Sequence, residues 1–175
     1  MSIGTIVILV VLIILVILVL FFLRTSYCKD SKLSLKSSSK INSEIEDLFQ
    51  SQGGEVKCLG SGTSPVELVS GKTNYIWCGF KSPNGGSYGI VRKQVTTNPN
   101  METNSWFLDP GSWNGLVSFE DTEPKKVFAL NIPKDVKNVT MRMNLDVYYP
   151  GINQPKIEIL DFVINKINWF ENLVC

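Results

Sequence analysis

The chain of 175 residues contains no histidine. This absence removes the commonest general base and the commonest metal ligand, together with the Ser-His-Asp and Cys-His arrangements of nucleophilic catalysis. The four cysteines include no Cys-x-x-Cys pair, which argues against a zinc ribbon or a thioredoxin-type redox site. The sequence also lacks a phosphate-binding loop and a strand-linked GxGxxG motif. We therefore expect no enzyme, no bound metal and no cofactor.

Charged residues are absent from the N-terminus, where residues 6–23 form an uninterrupted apolar run that ends at Arg24. Together with residues 3–5 the run makes a helix of about 30 Å, which matches the hydrocarbon core of a bilayer. A cleaved signal peptide is disfavoured because nothing basic precedes the run and no small-residue cleavage site follows it. The sequence thus predicts a single transmembrane helix over 1–23. The anchor residues are Ile6, Leu12, Leu18, Phe22 and the boundary residue Arg24.

The segment after the apolar run is basic and rich in serine. Residues 24–40 contain five Lys or Arg side chains and one Asp, whereas no side-chain charge precedes the run. The positive-inside rule then places the C-terminal domain on the cytoplasmic side of the membrane. Residues 31–43 contain six serines and cannot bury much apolar surface. We therefore expect residues 24–43 to form a flexible stalk.

The remaining residues, 44–175, have the pattern of one β-rich domain. A capping box at Ser43 predicts a short helix that ends at Gly53, and turn signals then separate short strands. The clearest strand is 139–147, where apolar and polar residues alternate strictly. We expect a mainly β fold: an antiparallel β-sandwich, with a jelly roll as one form, flanked by this helix and a C-terminal helix. The other predicted strands are 55–59, 66–69, 74–80, 88–95, 116–119 and 126–132. Residues 156–163 follow helical spacing but also fit a strand, and we favour a strand that leads into the C-terminal helix.

The cysteines allow two interpretations. Cys58 and Cys78 lie in neighbouring predicted strands, and a disulfide between them would stabilise the fold by about 3 kcal/mol. In a reducing cytosol both would instead be buried thiols, and the expected orientation favours that alternative. Cys28 lies just beyond the predicted membrane edge and Cys175 is the last residue, and either could form an intermolecular disulfide or be acylated.

Aromatic residues supply the candidate contacts with a partner. Two of them flank a loop at residues 109–112, and two more lie in an apolar C-terminal segment. Packing in the core is the alternative for all four. These candidates are Trp106, Trp113, Trp169 and Phe170.

One short motif fits an N-glycosylation acceptor, Asn138-Val139-Thr140. A cytoplasmic domain would not be modified there, so the motif serves mainly as a test of orientation.

An apolar anchor over 1–23, a stalk over 24–43 and a β-rich remainder together resemble the layout of membrane-anchored minor capsid proteins of large icosahedral double-stranded DNA viruses. The resemblance implies a non-catalytic structural protein of the virion, in the internal membrane under the capsid. It would link the lipid bilayer to coat or shell proteins, and by analogy it would form a homodimer. The alternative is a membrane-anchored β-sandwich that binds carbohydrate or a protein receptor. Nucleic acid is not an expected partner because the domain is slightly acidic.

Overall fold

The computed structural model describes residues 3–27, 37–62, 64–81, 85–118, 123–151 and 153–166. The chain divides into two compact units. One comprises Met1–Asp30 with Ile167–Cys175, and its described part is the helix α1, Ile3–Tyr27. The other unit, Ser31–Lys166, contains a second helix and all the strands.

Helix α1 is apolar around its whole circumference, and its described large side chains are exposed, among them Ile6, Leu12, Leu18 and Phe22. Among the residues that the structure describes, no helix is both long and apolar enough to cross a membrane. This corrects the transmembrane anchor predicted over 1–23 and the membrane location based on it. The side chain of Arg24 lies outside the described ones.

Helix α2, Ser38–Gln52, is amphipathic, and it buries Ile41, Ile45 and Phe49. It ends where Gly53 adopts a φ of 64° and donates its backbone N–H to the Phe49 carbonyl at 2.9 Å. The helix begins five residues before the predicted capping box, inside the predicted stalk. Ser43 therefore lies within the helix, where its hydroxyl donates to the Lys40 carbonyl of the preceding turn instead of capping the N-terminus.

Eight strands follow α2 in the described residues, and each overlaps a predicted strand. The predicted bounds 66–69 agree, most of the other ends are shifted, and the fifth strand differs most, with 112–117 in place of 116–119. A 3₁₀ turn, Asn104–Trp106, lies between the fourth and fifth strands. The strands are β1 Val56–Cys58, β2 Val66–Val69, β3 Thr73–Phe80, β4 Gly86–Asn98, β5 Ser112–Val117, β6 Lys125–Asn131, β7 Val139–Tyr148 and β8 Lys156–Asn165.

The strands form a three-stranded sheet in the order β1-β3-β6 and a five-stranded sheet in the order β2-β8-β7-β4-β5. The predicted all-antiparallel arrangement is wrong at one edge, because β2 pairs with β8 in parallel. Between β1 and β2 the chain passes from one sheet to the other, and the Asp161 N–H donates to the Gly60 carbonyl at 2.9 Å. That crossing brings β2 alongside β8 in the same direction. The predicted C-terminal helix lies beyond β8, outside the described residues.

The alternation predicted for β7 is confirmed and shows how the core forms. Successive residues of a strand point to opposite faces, so one side of β7 is buried and the other is polar. The buried side chains meet those of β8 and of the three-stranded sheet in one apolar cluster. From β7 they are Val139, Met141, Met143, Leu145 and Val147.

A disulfide joins Cys58 of β1 to Cys78 of β3. The two residues lie directly opposite each other in the antiparallel pair, and both are fully buried. The expectation of free thiols at these positions is therefore wrong. It rested on a cytoplasmic orientation, whereas disulfides persist in oxidising compartments. Cys28 and Cys175 lie outside the described residues.

Reducing this disulfide should weaken the domain measurably. Cys58 and Cys78 are 20 residues apart, and releasing a loop of that length should lower the free energy of unfolding by about 3 kcal/mol. Urea unfolding with and without reductant measures the change. A Cys58→Ser/Cys78→Ser variant should resemble the reduced protein and show no further response to reductant, and an equal response in both proteins would contradict the expectation.

Helix α2 packs on the outer face of the three-stranded sheet at Gly79. A Cβ atom at this position would collide with Ile45 and contact the Phe49 ring. We expect Gly79→Val to destabilise the domain by about 1–3 kcal/mol, because it pushes α2 off the sheet. Combining it with Ile45→Ala should recover part of that loss, since the smaller side chain leaves room. Additive losses in thermal unfolding would show that Gly79 and Ile45 are not in contact.

Candidate interaction surface on the five-stranded sheet

The outer face of the five-stranded sheet is polar and exposed across its middle. Arg142 of β7 donates two hydrogen bonds to Asp161 of β8, from Nε at 2.7 Å and from Nη2 at 3.0 Å. The hydrogen bond lowers the pKa of the Asp161 carboxyl and raises that of the Arg142 guanidinium. A groove of about 390 Å³ lies beside this pair, lined by polar side chains that include Thr96, Asn98 and Thr140.

Further polar contacts tie neighbouring strands together on this face. Asn165 Nδ2 donates to Glu67 Oε1 at 2.8 Å, and Lys93 Nζ lies 3.7 Å from Asp146 Oδ2. Pairs this exposed contribute little to stability. The middle of this face is thus well solvated, and it has few apolar groups whose burial by a partner would be favourable.

Apolar exposure on the same face is confined to its margins. Leu116 of β5 is 82% exposed, and Ile157 and Ile159 of β8 are 62% and 49% exposed. Leu116 has the most exposed large apolar side chain in the described part of Ser31–Lys166.

Strand β5 is the edge of the sheet on that side. Its inner face is fixed by Trp113, whose ring stacks on Phe80 with centroids 5.0 Å apart and planes at 21°. Gly115 lies against the Trp113 ring, and a Cβ atom there would overlap it. Because side chains alternate along a strand, burying Trp113 and Val117 turns Asn114 and Leu116 outward.

The register with β4 shows which backbone groups of β5 face away from the sheet. Arg92 N–H donates to the Gly111 carbonyl at 2.8 Å, so these opposed residues form a hydrogen-bonded pair. Such pairs alternate along an antiparallel ladder. Ser112, Asn114 and Leu116 are therefore at non-hydrogen-bonded positions, and their N–H and C=O groups point outward. In the described chain no strand pairs with this edge.

The outermost strands other than β5 are short or blocked, although β4 beyond Arg92 and β8 before Asp161 also have no strand partner on one side in the described chain. Strand β1 has only three residues. Strand β2 is capped by Asn74, whose side chain accepts from the Val69 N–H and donates to the Val69 carbonyl, both at 2.9 Å. Along β6, the Leu108 N–H donates to the Ala129 carbonyl at 2.9 Å, and the Ala129 N–H donates to Asp109 Oδ2 at 2.7 Å. Such covering is typical of natural sheet edges, and β5 lacks it within the described residues.

A buried ionic cluster lies near the C-terminal end of α2. Lys57 of β1 and Glu158 of β8 are almost fully buried, with Nζ and Oε1 3.6 Å apart. Lys57 Nζ also donates to Gln52 Oε1 at 3.1 Å, and Lys156 Nζ lies 3.3 Å from Glu158 Oε1. The half-buried Tyr149 has its pKa raised to about 12, by burial first and then by Glu158 and other neighbours. We infer that this cluster stabilises the packing of the two sheets against each other.

The four aromatic residues considered as partner contacts have different outcomes in the structure. Trp106 is buried and Trp113 is largely packed against the core, which agrees with the alternative of core packing, so neither offers an exposed aromatic surface to a partner. Trp169 and Phe170 lie outside the described residues. Sequence reasoning missed the open edge of β5, because it began that strand at Leu116 rather than at Ser112. Trp113 and Val117 fit the period of two on the inner face, opposite to Leu116. Gly115 lies between them on that face and interrupts the apolar pattern.

Comparison with known proteins gives limited information. No family model matches the chain, and no curated protein matches it. Among solved structures it is similar to the periplasmic chaperone SfaE, with 10% sequence identity and a TM-score of 0.45. The alignment covers 65% of this chain and 58% of the chaperone chain, less than two thirds of its length. A TM-score below 0.5 does not establish a shared fold or a shared function.

These findings correct the predicted functions. A linker between a membrane and a protein layer needs an anchor, as does a membrane-anchored module that binds carbohydrate or a receptor. No helix in the described chain can span a membrane. A location in the membrane or in a virion is therefore unsupported.

Tyr149 provides a test of the buried cluster. Unfolded tyrosine has a pKa of about 10, so the folded state holds the Tyr149 proton more tightly. This stabilisation is complete below pH 10 and is lost as the pH rises toward 12. Over that range the free energy of unfolding should fall more in the parent than in Tyr149→Phe. The difference should be about 1 kcal/mol, allowing for partial exposure. Parallel pH profiles in urea unfolding would contradict the placement of Tyr149.

Proposed function

We propose that Ser31–Lys166 is a non-catalytic protein-interaction domain that binds a second copy of the chain through β5. The observation that carries the proposal is the open edge at Ser112, Asn114 and Leu116. Three residues there direct backbone donors and acceptors outward, and Leu116 adds an exposed apolar side chain. Such an edge is a template for adding another strand.

The composition of β5 favours a second copy as that strand. Ser112–Val117 contains no charged residue, so two such strands can meet without like-charge repulsion. It also contains no proline, which would remove a donor from the new ladder. Natural edges that stay monomeric usually have lysine or proline at these positions.

A twofold axis through Asn114 satisfies the geometry. Antiparallel pairing around that axis places Asn114 opposite its own copy and Leu116 opposite Ser112. All three residues use their outward N–H and C=O groups, and the two five-stranded sheets become one sheet of about ten strands. Such twofold contacts are the commonest in homo-oligomers.

The affinity should be low. A contact of one short strand with a few side chains buries less surface than a stable interface of about 1,200–2,000 Å² requires. We therefore expect a dimer that forms reversibly and depends on concentration.

Sedimentation of the full chain tests this function. Leu116→Lys places two charges near the axis, and Asn114→Pro removes an outward donor without removing a hydrogen bond to β4. Each should weaken self-association by about tenfold or more, because each removes part of the new strand pairing. Ile157→Lys makes the same chemical change as Leu116→Lys on the same face away from β5, and it should leave association unchanged.

Amide exchange provides an independent readout. In the parent, the outward amides of Ser112, Asn114 and Leu116 should exchange more slowly as the protein concentration rises. Association that is equal in the parent, Leu116→Lys and Asn114→Pro contradicts the proposal. Loss of association in Ile157→Lys, or exchange at these amides that is independent of concentration, also contradicts it. A chain that stays monomeric and binds other polypeptides at β5 would show a different occupant and overturn the assignment.

A further inference from the structure

We propose that Asn138 is the acceptor of an N-linked glycan. Asn138-Val139-Thr140 is the single Asn-x-Ser/Thr tripeptide in the whole chain, with valine rather than proline in the middle. The inference does not depend on the proposed function.

The structure presents this tripeptide in a form that can accept a sugar. Asn138 is exposed in the turn immediately before β7, with a backbone φ of 54°. Asparagine adopts this left-handed conformation more readily than most residues. Val139 is buried in the core, and Thr140 returns to the exposed outer face. The fold can therefore hold a large polar group at Asn138 without moving a buried side chain.

The disulfide supplies the second, independent observation. Cys58 and Cys78 are bonded, and such bonds persist in oxidising compartments such as the lumen of the endoplasmic reticulum. Transfer of oligosaccharides to asparagine takes place in the same compartment in eukaryotic cells. A cytoplasmic domain would have neither modification, so the two features belong together.

The reaction needs a donor from the host cell, an oligosaccharide carried on a lipid pyrophosphate. The Asn138 side-chain nitrogen attacks the anomeric carbon of the first sugar. A carbon–nitrogen bond forms, the bond from that carbon to the pyrophosphate oxygen breaks, and the lipid pyrophosphate leaves. The amide nitrogen loses one proton to a base of the transferase, and no oxidation or reduction occurs.

The glycan would lie far from the open edge of β5. Asn138 precedes Val139, which pairs with Ile164 at one end of the sheet, whereas Leu116 pairs with Ser87 at the opposite end. The length of β7 separates these ends by about 30 Å. A glycan at Asn138 would shield the groove beside Thr140 and leave β5 accessible.

Expression of the full chain in insect or mammalian cells tests the proposal. Peptide N-glycosidase should increase the gel mobility of the parent and convert Asn138 to aspartate, which peptide mass spectrometry detects. Thr140→Ser should keep the modification, whereas Thr140→Ala should lose it. Asn138→Gly should lose it as well, and glycine tolerates the positive φ, so this variant is expected to fold.

The state of the cysteines is read in the same preparation by non-reducing peptide mapping. An unmodified Asn138 in protein that has the Cys58–Cys78 bond overturns the proposal, because the site is then exposed and in the correct compartment but is not used. Reduced thiols with an unmodified Asn138 overturn it too, since they remove the observation that places the domain in that compartment. A mobility shift that persists in Asn138→Gly would assign the glycan to another residue.

Discussion

The burial of one face of β7 is the interaction on which the domain depends. This strand is the middle of the five-stranded sheet, and five of its side chains are buried between the sheets. Burying an apolar side chain of this size contributes about 1.5–3 kcal/mol, so the set is comparable to the net stability of a whole domain. Pairing with β4 and β8 satisfies the β7 backbone on both sides. The polar outer face around Arg142 lies on this strand, and β4 connects it to the edge strand β5.

The segment from Lys57 to Gly60 fastens the two sheets to each other. Two contacts cross between the sheets: the buried ion pair of Lys57 with Glu158, and the Gly60 carbonyl that accepts from the Asp161 N–H. The Cys58 disulfide joins the same segment to β3 within the three-stranded sheet. Burying charges is expensive, so Lys57 and Glu158 stabilise the fold only as a pair, and losing one partner costs about 3–5 kcal/mol. The ion pair therefore favours one relative position of β1 and β8 over alternatives in which either charge would be buried without a partner.

Much of the β domain could be predicted from the sequence, because a period of two and turn residues are local signals. The strand at 139–147 and the apolar face of α2 are examples. The parallel pairing of β2 with β8 could not be predicted, since it depends on where the chain crosses between sheets. The open edge at Leu116 was missed because glycine replaces an apolar residue where the Trp113 ring needs space. The disulfide was not expected, because the charge distribution near the N-terminus was interpreted as placing the domain in a reducing cytosol.

The pairing of β2 with β8 has a consequence for folding during synthesis. Glu67 and Asn165 are hydrogen-bonded although they are 98 residues apart in the chain. Contacts between such distant positions form slowly, because a long loop has to close first. Strand β2 leaves the ribosome early and has no partner until β8, nearly 100 residues later, has also emerged. We therefore expect β2 to join its sheet last, after a nascent chain has already assembled the neighbouring hairpins.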